Sequence, residues 1–333
     1  MADKKYVIDQ DKIHNGDIIL IISDRRLSAI MERTTGCKYH HALMQVATSS
    51  YIHSYQLGVQ SDNTARRTFE RPDDAVALRL KSNDGEIIRK AINAIRVKVP
   101  TQYSLEEMKR VLNAGDIEAE EANRQFCTRL VAQAYREAGV DLVKNADYCS
   151  LADLLASDEV TIIDNVLREG SKEELAYANS ENEMLDKQKA IQNSILEQAR
   201  ALTRTDIQTF EQLEEFVIKN PENDEAIENI IRDSGYLDQW RVEMEKNPQN
   251  YDFEHFAAYY PSAQWLEVAV TYMEVASPFT TNLPINIIVN EKQYERYGLR
   301  YHKTQIELLE NLMQQFTQME NTMEAAIERA VNV

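Results

Sequence analysis

The sequence predicts an α+β protein: an antiparallel sheet with packed helices, followed by a mostly α-helical domain. Seven of the nine glycines precede residue 171, in a region where short apolar segments alternate with turns, as strands and hairpins require. Beyond that residue the apolar spacing is helical. Residues 171–333 carry 14 Lys and Arg against 29 Asp and Glu, so −15 of the net charge of −18 lies there. Because these changes coincide between residues 164 and 172, we predict two domains, residues 1–168 and 169–333.

The first domain contains both strand and helix patterns. Alternating or continuously apolar runs predict the strands, and apolar residues at spacings of three and four predict the helices. The predicted strands are residues 17–22, 39–46, 51–55, 65–69 and 75–80, and the predicted helices are residues 85–97, 104–115 and 127–138.

The second domain shows helical patterns throughout. Its predicted helices are residues 172–202, 210–219, 224–234, 237–246 and 304–331, separated by Pro and Gly breaks. The last helix has an apolar stripe from Ile306 to Ile327, typical of a helical bundle core; a coiled coil or a partner-binding face are the alternatives. Aromatic residues concentrate between residues 251 and 283, where we expect core packing, with a ligand pocket as the alternative.

Cys127 is the first candidate functional residue, because it lies in the first turn of the helix predicted at residues 127–138. The N–H groups and positive dipole end of a helix favour a thiolate and can hold an oxyanion. On this basis we expect Cys127 to be the one cysteine with a low pKa. The position alone is also compatible with a cysteine that only packs in the core.

A base for such a nucleophile is supplied by histidines near residue 40. His41 and His53 lie in the strands predicted at residues 39–46 and 51–55, which the turn-forming residues 48–50 would join as a hairpin. In a thiol–imidazole pair the imidazole takes the thiol proton, and a third polar group orients the ring. We therefore predict Cys127 as nucleophile, His41 as base and His53 as the orienting group. His40 points to the opposite face of the strand and is expected to be a surface or supporting residue.

The order of these motifs resembles a known family. Residues 16–20 (GDIIL), then His41, His53 twelve positions later, and Cys127 within FCTRLV are similar to the circularly permuted papain-like group of the NlpC/P60 superfamily. The nearest branches are the YiiX/YebB-like hydrolases and the lecithin:retinol acyltransferase-like enzymes. The similarity covers roughly residues 12–165 and includes residues 28–35 and the segment PTQYS at residues 100–104.

This resemblance implies a permuted papain-like fold and a thiol-dependent acyl hydrolase with a Cys-His-His triad. Its implied substrate is a peptide amide of the cell-wall type or another peptide, with a lipid acyl hydrolase or acyltransferase as the alternative. The acyltransferase branch usually has Asn-Cys-Glu-His around the nucleophile, whereas this chain has Phe-Cys-Thr-Arg. A different class, a non-catalytic binding protein whose acidic helical domain engages a basic protein partner, also stays open.

The other cysteines give no evidence for a disulfide framework or a metal site. Cys37, Cys127 and Cys149 form no Cys-x-x-Cys pair, and three thiols suit a reducing compartment. A zinc site at Cys37, His40 and His41 has the spacing for chelation but lacks further nearby ligands. Cys149 precedes a helix capped by Ser150 and Asp153 and is expected to be structural. We predict no cofactor and no metal.

Charge and hydropathy exclude several partners. The sequence has no apolar run of twenty residues, so we predict no integral membrane segment, and its start lacks the apolar core of a signal peptide. The net charge of −18 opposes binding to nucleic acid or to an anionic membrane. We expect a cytoplasmic protein that acts on a peptide or acyl-ester substrate, although export by a dedicated secretion system would leave no sequence trace.

Overall fold

The computed structural model describes residues 5–55, 57–104, 108, 110–111, 124–180 and 183–331. The protein is α+β and about 59% helical, with a six-stranded antiparallel sheet, a smaller sheet and a helical C-terminal region. It forms two compact units: Met1–Leu185 with Gln208–Phe210, and Asp186–Ile207 with Glu211–Val333. No helix among the described residues is both long and apolar enough to cross a membrane.

The first unit is organised around the six-stranded sheet. Its spatial strand order is β5, β4, β3, β2, β6 and β7, and each strand is antiparallel to its neighbours. The strands are β2 (Ile18–Ile21), β3 (His41–Ala47), β4 (Ser50–Tyr55), β5 (Gly58–Asn63), β6 (Ala75–Leu80) and β7 (Val160–Ile163). A separate pair consists of β1 (Tyr6–Ile8) and β8 (Leu167–Glu169).

Five α-helices of the described chain lie wholly within the first unit and connect or cover these strands. They are α1 (Arg25–Thr35), α2 (Gly85–Arg96), α3 (Cys127–Glu137), α4 (Leu151–Leu155) and α5 (Lys172–Ala178). The expected Ser150 and Asp153 arrangement is confirmed, since these residues form a capping box at the start of α4. The helix predicted at residues 104–115 lies largely outside the described residues.

Both faces of the central sheet are buried. On one face Ala42 and Met44 of β3 pack with Leu130 and Val131 of α3. On the other face Leu43 packs with residues that include Ile19 and Tyr51. Because strand side chains alternate, this pattern places α3 on the Ala42 face and puts the His41 side chain on the opposite one.

The strand predicted at residues 65–69 is wrong. Residues Thr64–Arg66 form a 3-10 helix, since the Asn63 side chain accepts a hydrogen bond from the N–H of Ala65 and ends β5. Only Phe69 pairs as a strand would, in an isolated bridge with Tyr6. The sequence also did not predict β1, β5, β7 and β8, which are short or rich in polar residues.

The first compact unit includes residues 169–185, which the sequence assigns to the second domain. Contacts around α5 explain this. The Arg66 guanidinium lies 4.5 Å from the Tyr177 ring centroid and donates to the carbonyl of Ser180. Arg168 of β8 forms an ion pair with Glu174. These contacts connect α5 to residues next to the central and small sheets.

The remaining helices are α6 (Glu183–Thr203), α7 (Phe210–Lys219), α8 (Asp224–Asp233), α9 (Gln239–Lys246), α10 (Phe253–Tyr259), α11 (Trp265–Tyr297) and α12 (Arg300–Val331). The single helix predicted at residues 172–202 is wrong, because α5 ends at Ala178, where Asn179 and Ser180 turn their side chains back to backbone carbonyls.

The aromatic segment of the second unit forms a core. Phe256 is buried, and its ring centroid lies 6.3 Å from that of Trp265. Met319 and Met323 of α12 belong to the same buried cluster. The expected packing role of the aromatic segment and of the apolar stripe of α12 therefore agrees with the structure.

Candidate active site

The first turn of α3 places Cys127 at the helix start. Phe126 precedes it in an extended conformation (φ −136°, ψ 166°) and makes no side-chain capping hydrogen bond. The first N–H groups of a helix have no partner within the helix, and they carry the positive end of its dipole. Their geometry at Cys127 is therefore suited to stabilising a negative sulfur or oxygen.

A buried arginine fixes this helix start. The Arg129 side chain is fully buried, and its guanidinium lies between the rings of Phe126 and Tyr148, at 4.7 and 5.0 Å from their centroids. Its Nε donates to the carbonyl of Asp147 (2.8 Å), and its Nη1 donates to the carbonyl of Arg124 (3.1 Å). Arg129 thus holds the segments before and after α3 against the turn that carries Cys127.

The two predicted histidines are in direct contact. Nε2 of His41 lies 2.8 Å from Nδ1 of His53, at hydrogen-bond distance. Both side chains are buried, and their rings meet edge to face with centroids 5.1 Å apart. Adjacent antiparallel strands, β3 and β4, carry the two residues on one face of the sheet, which is why the hairpin pattern brings them together.

Cys127 approaches the same strand from the other face. The backbone N–H of Ala42, the residue directly after His41, lies near its sulfur and lowers the pKa of the thiol. No hydrogen bond joins the Cys127 thiol to either His41 or His53, and all three residues belong to the described part of the chain. The structure therefore brings the histidines together and places the thiol at the backbone beside His41.

Burial controls the protonation of the two reacting groups. It holds the pKa of His41 well below 6.5, and the electrostatic influence of His53, Arg67 and His40 lowers it further. His41 is therefore neutral at pH 7 and able to accept a proton. Burial raises the pKa of the Cys127 thiol, and the N–H groups of Ala42, Thr128 and Cys127 itself only partly offset this increase.

The prediction that Cys127 has a low pKa is therefore wrong for the resting protein. The dipole and N–H groups of α3 do favour the thiolate, but the loss of hydration is the larger effect. Cys37 and Cys149 are more deeply buried, and burial raises the pKa of Cys149 to about 12. Cys127 differs from them in its exposure and surroundings, since it alone of the three is half-buried.

We expect iodoacetamide to label Cys127 before the other two cysteines, because it is the most accessible, but slowly at neutral pH. The thiolate is the reacting form, so the labelling rate should rise about tenfold for each pH unit below the raised pKa. Peptide mapping after timed labelling between pH 6 and 9 measures this dependence. A rate that is already constant between pH 6 and 8 would instead show a preformed thiolate.

The neighbouring polar residues have distinct structural roles. Nε2 of His40 accepts hydrogen bonds from the N–H groups of Ser23 and Asp24, at 2.9 and 3.0 Å, so it fixes the turn after β2.

The described residues contain no cluster of three or more His, Cys, Asp or Glu side chains that could hold a metal ion.

Two further groups near the site were not predicted from the sequence. The carboxylate of Asp62 lies 3.0 Å from Nε2 of His53, on a strand that the apolar pattern does not reveal. Tyr103 lies near Cys127 and Tyr55; burial raises its pKa to about 12, and the negative charge that these two neighbours can carry adds to the increase. The only sequence signal for Asp62 is its alternation with Gln60, which faces the same side of a hairpin strand as Asp62.

Comparison with known proteins gives no assignment. No model of a known protein family matches this chain, and no curated protein matches it with significant similarity. Any function must therefore be argued from the site itself.

Proposed function

We propose that the protein is a thiol-dependent acyl hydrolase in which Cys127 is the nucleophile, His41 the general base and His53 the group that orients His41. One observation carries this proposal. The Cys127 sulfur, at a helix start without a side-chain cap, lies near the N–H of Ala42, the residue after His41, and Nε2 of His41 contacts His53. A nucleophile, a base and an orienting group within one small region are the parts that acyl transfer requires.

In the acylation step, His41 accepts the thiol proton while the sulfur attacks the acyl carbon. The resting pair is a neutral thiol and a neutral imidazole, as their shifted pKa values require. Because Nε2 of His41 is engaged by His53, the proton goes to Nδ1. Cys127 and His41 approach β3 from opposite faces, so the transfer needs the two side chains to meet beyond the start of that strand, closer than in the resting structure. Catalytic hydrogen bonds commonly tighten only when substrate is bound.

The tetrahedral oxyanion is stabilised by N–H groups at the start of α3, which face the region of the Cys127 sulfur. Its collapse breaks the bond to the leaving group, which takes the proton from His41, and leaves a thioester on Cys127. His41 then takes a proton from water, the hydroxide attacks the thioester, and the acid and the free thiol are released.

We further propose a permuted papain-like arrangement and a peptide amide as substrate. The support is the order of His before Cys along the chain, with both histidines on adjacent antiparallel strands and the cysteine opening a helix packed on that sheet. This matches the motif order of the family that the sequence resembles. The choice of an amide over an ester rests on that resemblance alone.

The proposal is tested with p-nitrophenyl acetate, an activated ester that bypasses the unknown specificity. We expect release of p-nitrophenol and an acetyl adduct that intact-protein mass detects and peptide mapping assigns to Cys127. Cys127→Ala should lose both signals, whereas Cys37→Ala, at a buried thiol outside the site, should keep them. An adduct on any other residue, or equal turnover by Cys127→Ala, would contradict the proposal.

A further inference from the structure

A third polar group continues the contact between the two histidines. Nε2 of His41 lies 2.8 Å from Nδ1 of His53, and Nε2 of His53 lies 3.0 Å from Oδ2 of Asp62. In the register of β4 and β5, His53 is opposite Gln60 and Tyr51 is opposite Asp62. Asp62 is therefore on the same face as His53 and reaches it diagonally. The three side chains form one row, which we call the His41–Asp62 row.

The hydrogen-bonding capacity of these groups determines where the protons lie. An ionised carboxylate only accepts hydrogen bonds, so Nε2 of His53 has to be the donor to Asp62. A neutral imidazole has one N–H, so Nδ1 of His53 then carries a lone pair. That lone pair can only be matched by an N–H at Nε2 of His41, which leaves the lone pair of His41 on Nδ1.

The opposite arrangement of donors and acceptors along the His41–Asp62 row is disfavoured at Asp62. If Nδ1 of His53 carried its proton, the lone pair at Nε2 would face the carboxylate oxygen at 3.0 Å with no hydrogen between them. Both imidazoles are buried, so water offers little compensation for such a pair of acceptors. The ionised carboxylate is the one member of the row that can only accept a hydrogen bond, whereas the role of each imidazole nitrogen depends on the tautomer.

We propose that Asp62 is a positioning residue that fixes which nitrogens carry the protons in the His41–Asp62 row. His41 then presents the lone pair of Nδ1 to the reacting thiol. Nδ1 is also the ring nitrogen of His41 that makes no hydrogen bond to any described residue. Asp62 touches neither the thiol nor the acyl group; it acts through His53. The catalytic consequence rests on the proposed function, whereas the tautomers are a property of the folded protein alone.

The tautomers can be measured directly by 15N NMR of histidine-labelled protein at pH 7.5, with two- and three-bond couplings that distinguish Nδ1–H from Nε2–H rings. His41→Gln and His53→Gln assign the two signals. We expect both wild-type rings to be neutral with the proton on Nε2. A His41 ring with its proton on Nδ1, or a doubly protonated His53, would overturn the proposal.

Two substitutions test the role of the carboxylate. Asp62→Asn replaces an obligatory acceptor with an amide that can donate or accept, so His41 should become a mixture of tautomers. Asp62→Glu retains a carboxylate at a half-exposed position and should keep the wild-type tautomers. Asp73→Asn is the matched control, because Asp73 pairs with Lys38 on the surface and not with the row. Unchanged tautomers in Asp62→Asn would show that Asp62 does not set the direction.

Kinetics with p-nitrophenyl acetate separate this inference from the proposed function. Asp62→Asn should lower kcat by about 10- to 100-fold with little change in KM, because the tautomer affects the chemical step. Asp62→Glu should restore most of the rate, and Asp73→Asn should leave it unchanged. If the tautomers change as expected but Cys127 never forms an acetyl adduct, the proposed function fails while the role of Asp62 stands. A normal kcat in an Asp62→Asn protein with mixed tautomers would refute the catalytic consequence.

Discussion

Replacing His41 with Gln should lower the rate of p-nitrophenyl acetate hydrolysis by about 10²- to 10⁴-fold, the usual contribution of a general base. The glutamine side chain can still hydrogen-bond to His53 but cannot take the thiol proton at neutral pH. The folded structure should persist, since the substitution keeps a polar partner for a buried imidazole. Initial rates, together with far-UV circular dichroism, measure both expectations.

The adjacent histidine provides the matched control. His40→Gln removes an imidazole that accepts hydrogen bonds from the N–H groups of Ser23 and Asp24, so its rate should remain within about threefold of the wild type. His53→Gln should fall between the two, because it leaves the nucleophile and the base in place. If His40→Gln and His41→Gln lose activity equally, the base has been assigned to the wrong residue or the loss reflects a disturbed fold.

The contact between His41 and His53 could be anticipated because it depends on local rules. Alternation along a strand and a short turn determine which side chains of a hairpin face one another, and both features are visible in the sequence. Asp62 could not be anticipated in this way. Its strand, β5, reads GVQSDN, which has little apolar alternation and is ordered by pairing with β4.

The protonation state of Cys127 also required the structure. A helix start can be recognised from a sequence, and it favours the thiolate. The opposing effect of burial depends on how α3 packs against β3, which is a tertiary property. Since burial is the larger influence, the direction of the pKa shift could not follow from the position of Cys127 in its helix alone.

The length of α11 also could not be predicted from the sequence. Proline normally ends or kinks a helix, yet α11 continues past both Pro278 and Pro284. Packing along α12 supports it, and Phe279 stacks on Phe316 with a centroid distance of 4.1 Å. Asn282 also donates to the carbonyl of Pro278. Such tertiary support overrides a local preference.

Replacing Arg129 with Met should lower the free energy of unfolding of the first unit by about 3 to 5 kcal/mol. This is the largest effect on stability that we expect from a single substitution of a buried residue in α3. The carbonyls of Asp147 and Arg124 would lose the donors Nε and Nη1, and two ring contacts of the guanidinium would disappear. An unsatisfied buried acceptor costs about 1–3 kcal/mol, and a desolvated cation–π contact contributes up to about 2 kcal/mol. Hydrogen exchange of peptides covering residues 124–137, measured by mass spectrometry, reports the local loss of protection.

Arg136 gives the comparison that separates burial from charge. It lies on the same helix and forms an ion pair with Asp147 at 3.2 Å, but both side chains are substantially exposed. Arg136→Met should therefore change stability by less than about 1 kcal/mol. Because Arg129 holds the turn that carries Cys127, Arg129→Met should also slow acetylation of Cys127, whereas Arg136→Met should not. Equal effects of the two substitutions on exchange would mean that the charge on α3, and not the buried hydrogen bonds of Arg129, stabilises the helix start.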